Sequence, residues 1–194
     1  MGRRIALALV PLLLAACAER DVWPVERLDP KTAVNVTLMA QPWVYARPLP
    51  MLAANARDYL NVGVVETNRT GERAYWLGVV SWSTIDRTQL PAGAGLAQPI
   101  HLRLAWKDGN LDLTPAPGGR AAVGLTAPAL TEPAERYTDA WYSLSAANLK
   151  RLSTAAPDSV SLVDDDDGLR TYEAWAIDPA VMAEFRKATG LDHP

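Results

Sequence analysis

The residues able to do chemistry are few and scattered. Glu132, Glu135, Asp139 and Glu173 are the carboxylates that could meet in space. Two carboxyl groups about 5–9 Å apart can divide acid and base or nucleophile work on a glycosidic bond. Nothing in their spacing brings these four together, and the plainer reading is surface charge that keeps the domain in solution. The histidines are His101 and His193. A Ser-His-Asp arrangement would have to use His101, with Ser81, Ser83 or Ser143 as nucleophile. No G-x-S-x-G turn presents any of these serines. Catalytic zinc takes three protein ligands, usually with two or more histidines, and no HExxH spacing exists. No glycine-rich phosphate loop follows a strand, so nucleotide binding has no motif behind it. The expectation is a chain with no catalytic residue, no cofactor and no metal.

Four aspartates, at 164–167, precede Gly168 and resemble a calcium loop. An EF-hand needs carboxylates at positions 1, 3 and 5, glycine at 6 and glutamate at 12. With Gly168 at position 6, Asp165 and Asp167 fall correctly, but position 1 is Val163 and position 12 is Ala174. The match fails at both ends, which leaves a solvated acidic turn between two strands.

One residue stands apart. Cys17 is the only cysteine, so no disulfide can form within the chain. Arg3 and Arg4 open the chain with positive charge, and residues 5–16 are an uncharged, almost wholly apolar run broken only by Pro11. That is the layout of an export signal. As a helix the run would reach roughly 18 Å, short of the about 30 Å of a bilayer core. It ends in Leu14-Ala15-Ala16-Cys17, which resembles the lipobox of bacterial lipoproteins. The resemblance covers the first 17 residues only. It implies a diacylglyceryl group on the Cys17 thiol, a cut just before Cys17, and acylation of the new amine. Ala18, where an aspartate would resemble an inner-membrane retention signal, favours the outer membrane. The implied partner is therefore a lipid bilayer, reached through acylated Cys17, at the periplasmic face of the outer membrane.

Composition bounds the possible partners. Once residues 1–16 are removed with Arg3 and Arg4, the formal net charge of −3 becomes −5. There is no basic block, so a nucleic-acid partner is not expected. An acidic body also gains nothing from anionic lipid, which leaves membrane contact to the acyl chains. Seven Trp and six Tyr stand against one Phe. Such residues suit half-buried sheet surfaces and interfaces. Asn35-Val36-Thr37 and Asn68-Arg69-Thr70 match the glycosylation pattern, and in a bacterium both read as chance matches.

The elements that must position any site read mostly as strands. The expected division is residues 1–16 as signal, 17–30 as lipidated cysteine and tether, and 31–194 as one β-rich domain. Val34, Val36 and Leu38 alternate with polar neighbours. Trp43, Val44 and Tyr45 make a short extended piece between Pro42 and Pro48, and residues 51–57 could form one helical turn or two. The clearest element is a hairpin: residues 59–66, a turn at Asn68, Arg69, Thr70 and Gly71, and a return over 73–83. Trp76, Gly78, Val80 and Trp82 share one face of the return strand and Tyr75, Leu77 and Val79 the other, which predicts a central strand. After a Gly/Ala/Pro loop at 90–99, Ile100, Leu102, Leu104 and Trp106 alternate as a half-buried strand. Asp108-Gly109 then turns it back into 111–114. Residues 121–125, 137–144 and 170–177 are further strand candidates. Ser145 can cap a helix running to about residue 155. Asp178-Pro179 starts a C-terminal helix with Val181, Met182 and Phe185 on its apolar stripe and Gly190 at its end. About eight strands and two short helices predict a mainly antiparallel, sandwich-like β-domain.

The function expected from these features is a non-catalytic envelope lipoprotein, an interaction or assembly module with an envelope-protein partner. Its contact groups would be the hairpin around Tyr75 and edge-strand backbone. The rival expectation is a periplasmic enzyme or ligand-binder acting on cell-wall or glycan material, built on converging carboxylates or stacked tryptophans such as Trp76 and Trp82.

Overall fold

A computed structural model describes residues 22–85, 101–130, 136–163 and 168–191. The expectations for residues 1–16, Cys17, the loop at 90–99, Glu132, Glu135, the aspartates at 164–167 and His193 lie outside the described residues. The described residues form ten strands, all paired antiparallel: β1 Val25–Leu28, β2 Asn35–Leu38, β3 Trp43–Pro48, β4 Arg57–Arg69, β5 Glu72–Ser83, β6 His101–Trp106, β7 Gly109–Leu113, β8 Thr138–Leu144, β9 Ser159–Val163 and β10 Leu169–Ala176. Three helices accompany them: α1 Gly119–Ala122, α2 Ala146–Thr154 and α3 Pro179–Thr189. The mainly antiparallel β class and the C-terminal helix are as expected. No helix among the described residues is long and apolar enough to cross a membrane.

The 13-residue β4 organises the sheet. Along one edge it pairs first with β3 (Pro48↔Arg57 to Trp43↔Val62) and then with β2 (Leu38↔Val65 to Asn35↔Asn68). Along the other edge it pairs with β5 from Asp58↔Ser83 to Arg69↔Glu72. The sheet runs from β8 through β5, β4, β3, β10, β9 and β6 to β7, with β2 and β1 as a side branch. Just past β7 the chain returns to β8. Pro115 bridges Tyr142, and the Ala116 N–H donates to the Trp141 carbonyl at 2.6 Å. The layering expected of a sandwich is thus made by one sheet that curls back on itself.

Period-2 alternation sends one set of side chains inward. Leu60, Val62 and Val64 of β4 face Leu77 and Val79 of β5, Trp43 and Tyr45 of β3, and Leu102 and Leu104 of β6. Leu149 and Leu152 of α2 and Val181, Met182 and Phe185 of α3 close this core. Both helices begin as their sequences predict. The Ser145 hydroxyl accepts from the Asn148 N–H, the Asp178 carboxylate accepts from the Ala180 N–H, and Gly190 ends α3 at φ 70°.

A second core lies on the outer side of β2, β4, β5 and β8. Val36, Leu38, Val65, Val80 and Trp141 meet Val123, Leu125 and Leu130 from the segment 119–130. Gly63 and Gly78, paired across β4 and β5, make room for it. A Cβ on Gly63 would stand 2.5 Å from the Leu130 side chain, and one on Gly78 would stand 2.9 Å from the Trp141 ring.

Asp29 ties this covering segment to the sheet. Its carboxylate accepts from the N–H groups of Lys31, Thr32 and Thr126 and from the Thr126 hydroxyl. The Thr126 N–H, with the other donors, holds the Asp29 carboxyl well below the usual range. A depressed native pKa means stability that is complete above about pH 4 and fades as acid titrates the group. Asp29→Asn is therefore expected to melt below wild type at neutral pH. The gap should narrow as melts are repeated toward about pH 2; a gap independent of pH would contradict the ionic role.

The structure corrects several local expectations. Val25–Leu28, inside the stretch read as tether, is β1 and pairs with β2. Residues 51–55 are turns in the β3–β4 connection rather than helix, closed by the Leu49 N–H on the Ala56 carbonyl. Met51 there is 94% exposed, so no apolar face exists to dock a helix. Residues 121–125 are not a strand. Positive φ at Gly118, Gly119 and Gly124 breaks any extended run, and α1 forms between them. The β6–β7 turn is Lys107-Asp108, one residue earlier than expected, because Gly109 pairs with Trp106.

Candidate functional site

The outward face of β4 and β5 carries Tyr59 opposite Trp82. Their rings stack with centroids 4.4 Å apart and planes 14° from parallel. The Trp82 indole N–H donates to the Asn61 side-chain oxygen at 3.2 Å, which fixes the ring. On β10 the register shifts between Ala174 and Ala176, leaving Trp175 as the bulged residue. A bulge re-aims a side chain, and Trp175 meets Tyr59 edge-on at 6.2 Å. Ala46 of β3, paired with both Tyr59 and Glu173, is too small to part the two rings. The Arg57 guanidinium sits 5.0 Å from the Trp175 ring centroid. A cation over an aromatic face is attracted by about 0.5–1 kcal/mol at an exposed site. The arrangement is a rigid half-buried pair carrying one large ring that remains 58% exposed.

Among the described residues, those singled out from sequence do not assemble into a catalytic centre. Asp139 and Glu173 lie on the outer faces of β8 and β10, four strand spacings apart, about 19 Å along the sheet. Asp139 instead pairs with Arg120 at 3.4 Å and accepts from the Trp141 indole N–H at 2.9 Å. His101 is exposed at the start of β6, Ser81 is buried on β5, and no hydrogen bond among the described residues joins His101 to Ser81, Ser83 or Ser143. No group of three His, Cys, Asp or Glu side chains among the described residues could hold a metal.

Tyr75 was expected on an exposed face of the hairpin. It is half-buried beside Glu66, with which it is paired across the strands. Trp76 and Trp82 are half-buried, not sealed in a core. Trp76 donates to the Thr67 hydroxyl at 3.0 Å on the far part of the same outer face, away from the stack.

Sequence reasoning missed Trp175 and Glu66 as individuals. The signal for Trp175 was its parity: it shares an outward face with Glu173, opposite Tyr172. The signal for Glu66 was the reverse, a carboxylate in step with Leu60, Val62 and Val64.

The chain was compared with protein-family models, with curated proteins and with solved structures, and nothing matches it.

Proposed function

We propose that this chain is an envelope lipoprotein, held by acyl chains on Cys17 at the periplasmic face of the outer membrane. Its β-rich body is a non-catalytic binding module for an envelope protein. The observation that supports this reading is the exposed Trp175 ring standing on the Tyr59–Trp82 stack beside Arg57. Trp, Tyr and Arg dominate the energetics of protein interfaces, because they bury much area at little entropic cost. Here the stack pre-orders the ring before any partner arrives.

Trp175→Ala in the full-length chain tests the working surface. Truncating a central interface tryptophan costs about 2 kcal/mol or more in binding. The expected result is that partners cross-linked or co-purified from detergent-solubilised envelopes with wild type are lost with the variant. Thermal melting should barely change, since the ring is largely in solvent. Equal recovery by wild type and variant would exclude this face.

A second reading is favoured by the same stack: a ligand-binder or enzyme acting on cell-wall or glycan material, with sugar rings lying on Trp175. Co-sedimentation with purified peptidoglycan separates the two. Binding there, with none to envelope proteins, would make the glycan reading the better one.

A further inference from the structure

On the inward face at the other end of the long hairpin, one row of residues crosses four strands: Glu26 of β1, Thr37 of β2, Glu66 of β4 and Tyr75 of β5. The last turn of α3, at Ala188 and Thr189, faces this row across a cavity of about 230 Å³. Glu66 is only 4% exposed, and its Oε2 has no hydrogen-bond partner.

The neighbouring cations do not serve that oxygen. The Arg73 Nε is 3.5 Å from the other oxygen, Oε1, and its Nη1 donates to the Thr189 carbonyl at 2.7 Å. Arg73 therefore spans the carboxylate and the helix end. Arg27 donates to the carbonyls of Ala127 and Pro128, at 3.4 and 2.6 Å. What remains facing the cavity is acceptor-rich: Glu66 Oε2, Glu26 and the negative end of the α3 dipole.

We infer that this cavity is a binding site for a small organic cation with N–H donors, an alkylammonium or guanidinium group, paired with Glu66 Oε2. A buried carboxylate oxygen without a donor costs more than a made hydrogen bond returns, so an occupant that donates is favoured. The volume suits a group of side-chain size. An anion would meet two carboxylates, and a metal ion would find too few ligands among the described residues. Burial and nearby Glu26 push the Glu66 carboxyl up, while Arg73 and the Tyr75 hydroxyl pull it down. A bound cation would add to the second pair and favour the ionised form.

The test uses the full-length chain in detergent micelles, labelled with ¹³C at the glutamate carboxyls. It is titrated with n-butylammonium, with methylguanidinium, with a blocked lysine peptide and with neutral n-butanol. The expected result is a saturable shift of the Glu66 carboxyl resonance with the cations and none with butanol. Contacts should appear from the ligand methylenes to the Thr37 and Ala188 methyl groups. Glu66→Gln should weaken binding about tenfold or more. Should that variant not fold, the wild-type contacts and the butanol control still decide. Binding of the small amines supports a free ligand, and binding of the peptide alone supports a partner's side chain at the same site. No saturable shift with any cation, or equal binding by Glu66→Gln, overturns the assignment and leaves the cavity to water.

Discussion

Cells expressing Cys17→Ser in place of wild type are expected to have essentially none of this protein in their outer-membrane fraction. The argument is one of chain counting. Each methylene taken into the bilayer contributes about 0.8 kcal/mol, and a single acyl chain gives only marginal, reversible attachment. Two or three chains on one residue make release negligible on the timescale of a cell. On the proposed anchor, a serine at position 17 would offer no thiol for the diacylglyceryl group, and all of that attachment would be lost together. No described helix can span, and the acidic body gains nothing from anionic lipid. Fractionation on a density gradient, paired with intact mass spectrometry of the native protein, reads the result. An unmodified Cys17, or a cut at another position, would remove the anchor from the proposal.

Trp141→Ala is expected to cost the fold about 3–5 kcal/mol, the range for emptying a large aromatic from a packed core. Trp141 is 2% exposed, and its ring occupies the space left by the missing side chain of Gly78. It also fixes Asp139 through its indole N–H, at 2.9 Å. Domains of this size hold about 5–15 kcal/mol in total, so the variant should retain little margin. At roughly 2–4 °C per kcal/mol, the melting temperature should fall by roughly 6–20 °C. Trp141→Phe should recover part of the loss by refilling most of the volume. Urea titrations of the three proteins measure it. A loss below about 1 kcal/mol for the alanine variant would mean that the outer cluster does not share in global stability.

Much of the scaffold was legible in the sequence because local rules set it. The β4–β5 hairpin followed from β-forming residues around a turn, and Thr70 and Gly71 do adopt positive φ there, at 52° and 96°. Ser145, Asp178 and Gly190 announced both longer helices through capping chemistry, with the apolar stripe of Val181, Met182 and Phe185 supporting the second. What failed depended on partners distant in sequence. Val25–Leu28 is too short and too exposed to show alternation, and it is a strand only because β2 offers an edge. Val123 and Leu125 read as strand because they are apolar, but glycines turn the chain and a distant sheet face buries them.

The candidate surfaces were less legible for the same reason. Stacking of Tyr59 on Trp82 is a matter of register, and the approach of Trp175 depends on a bulge that no spacing announces. The unserved oxygen of Glu66 depends on where Arg73 was drawn by the end of α3. The proposed lipid anchor is a different case: the lipobox resemblance lies within residues 1–17, outside the described residues, and was read from local sequence alone.

β4 belongs to both hydrophobic clusters, so a change in one reaches the strand that carries the other. Its inward residues Leu60, Val62 and Val64 sit in one, and its outward Val65 sits in the other. Pulling that strand loose ruptures both sides of the sheet in the same event. Damage to the covering segment at 119–130 is therefore expected to be felt on both faces of the sheet rather than as local fraying.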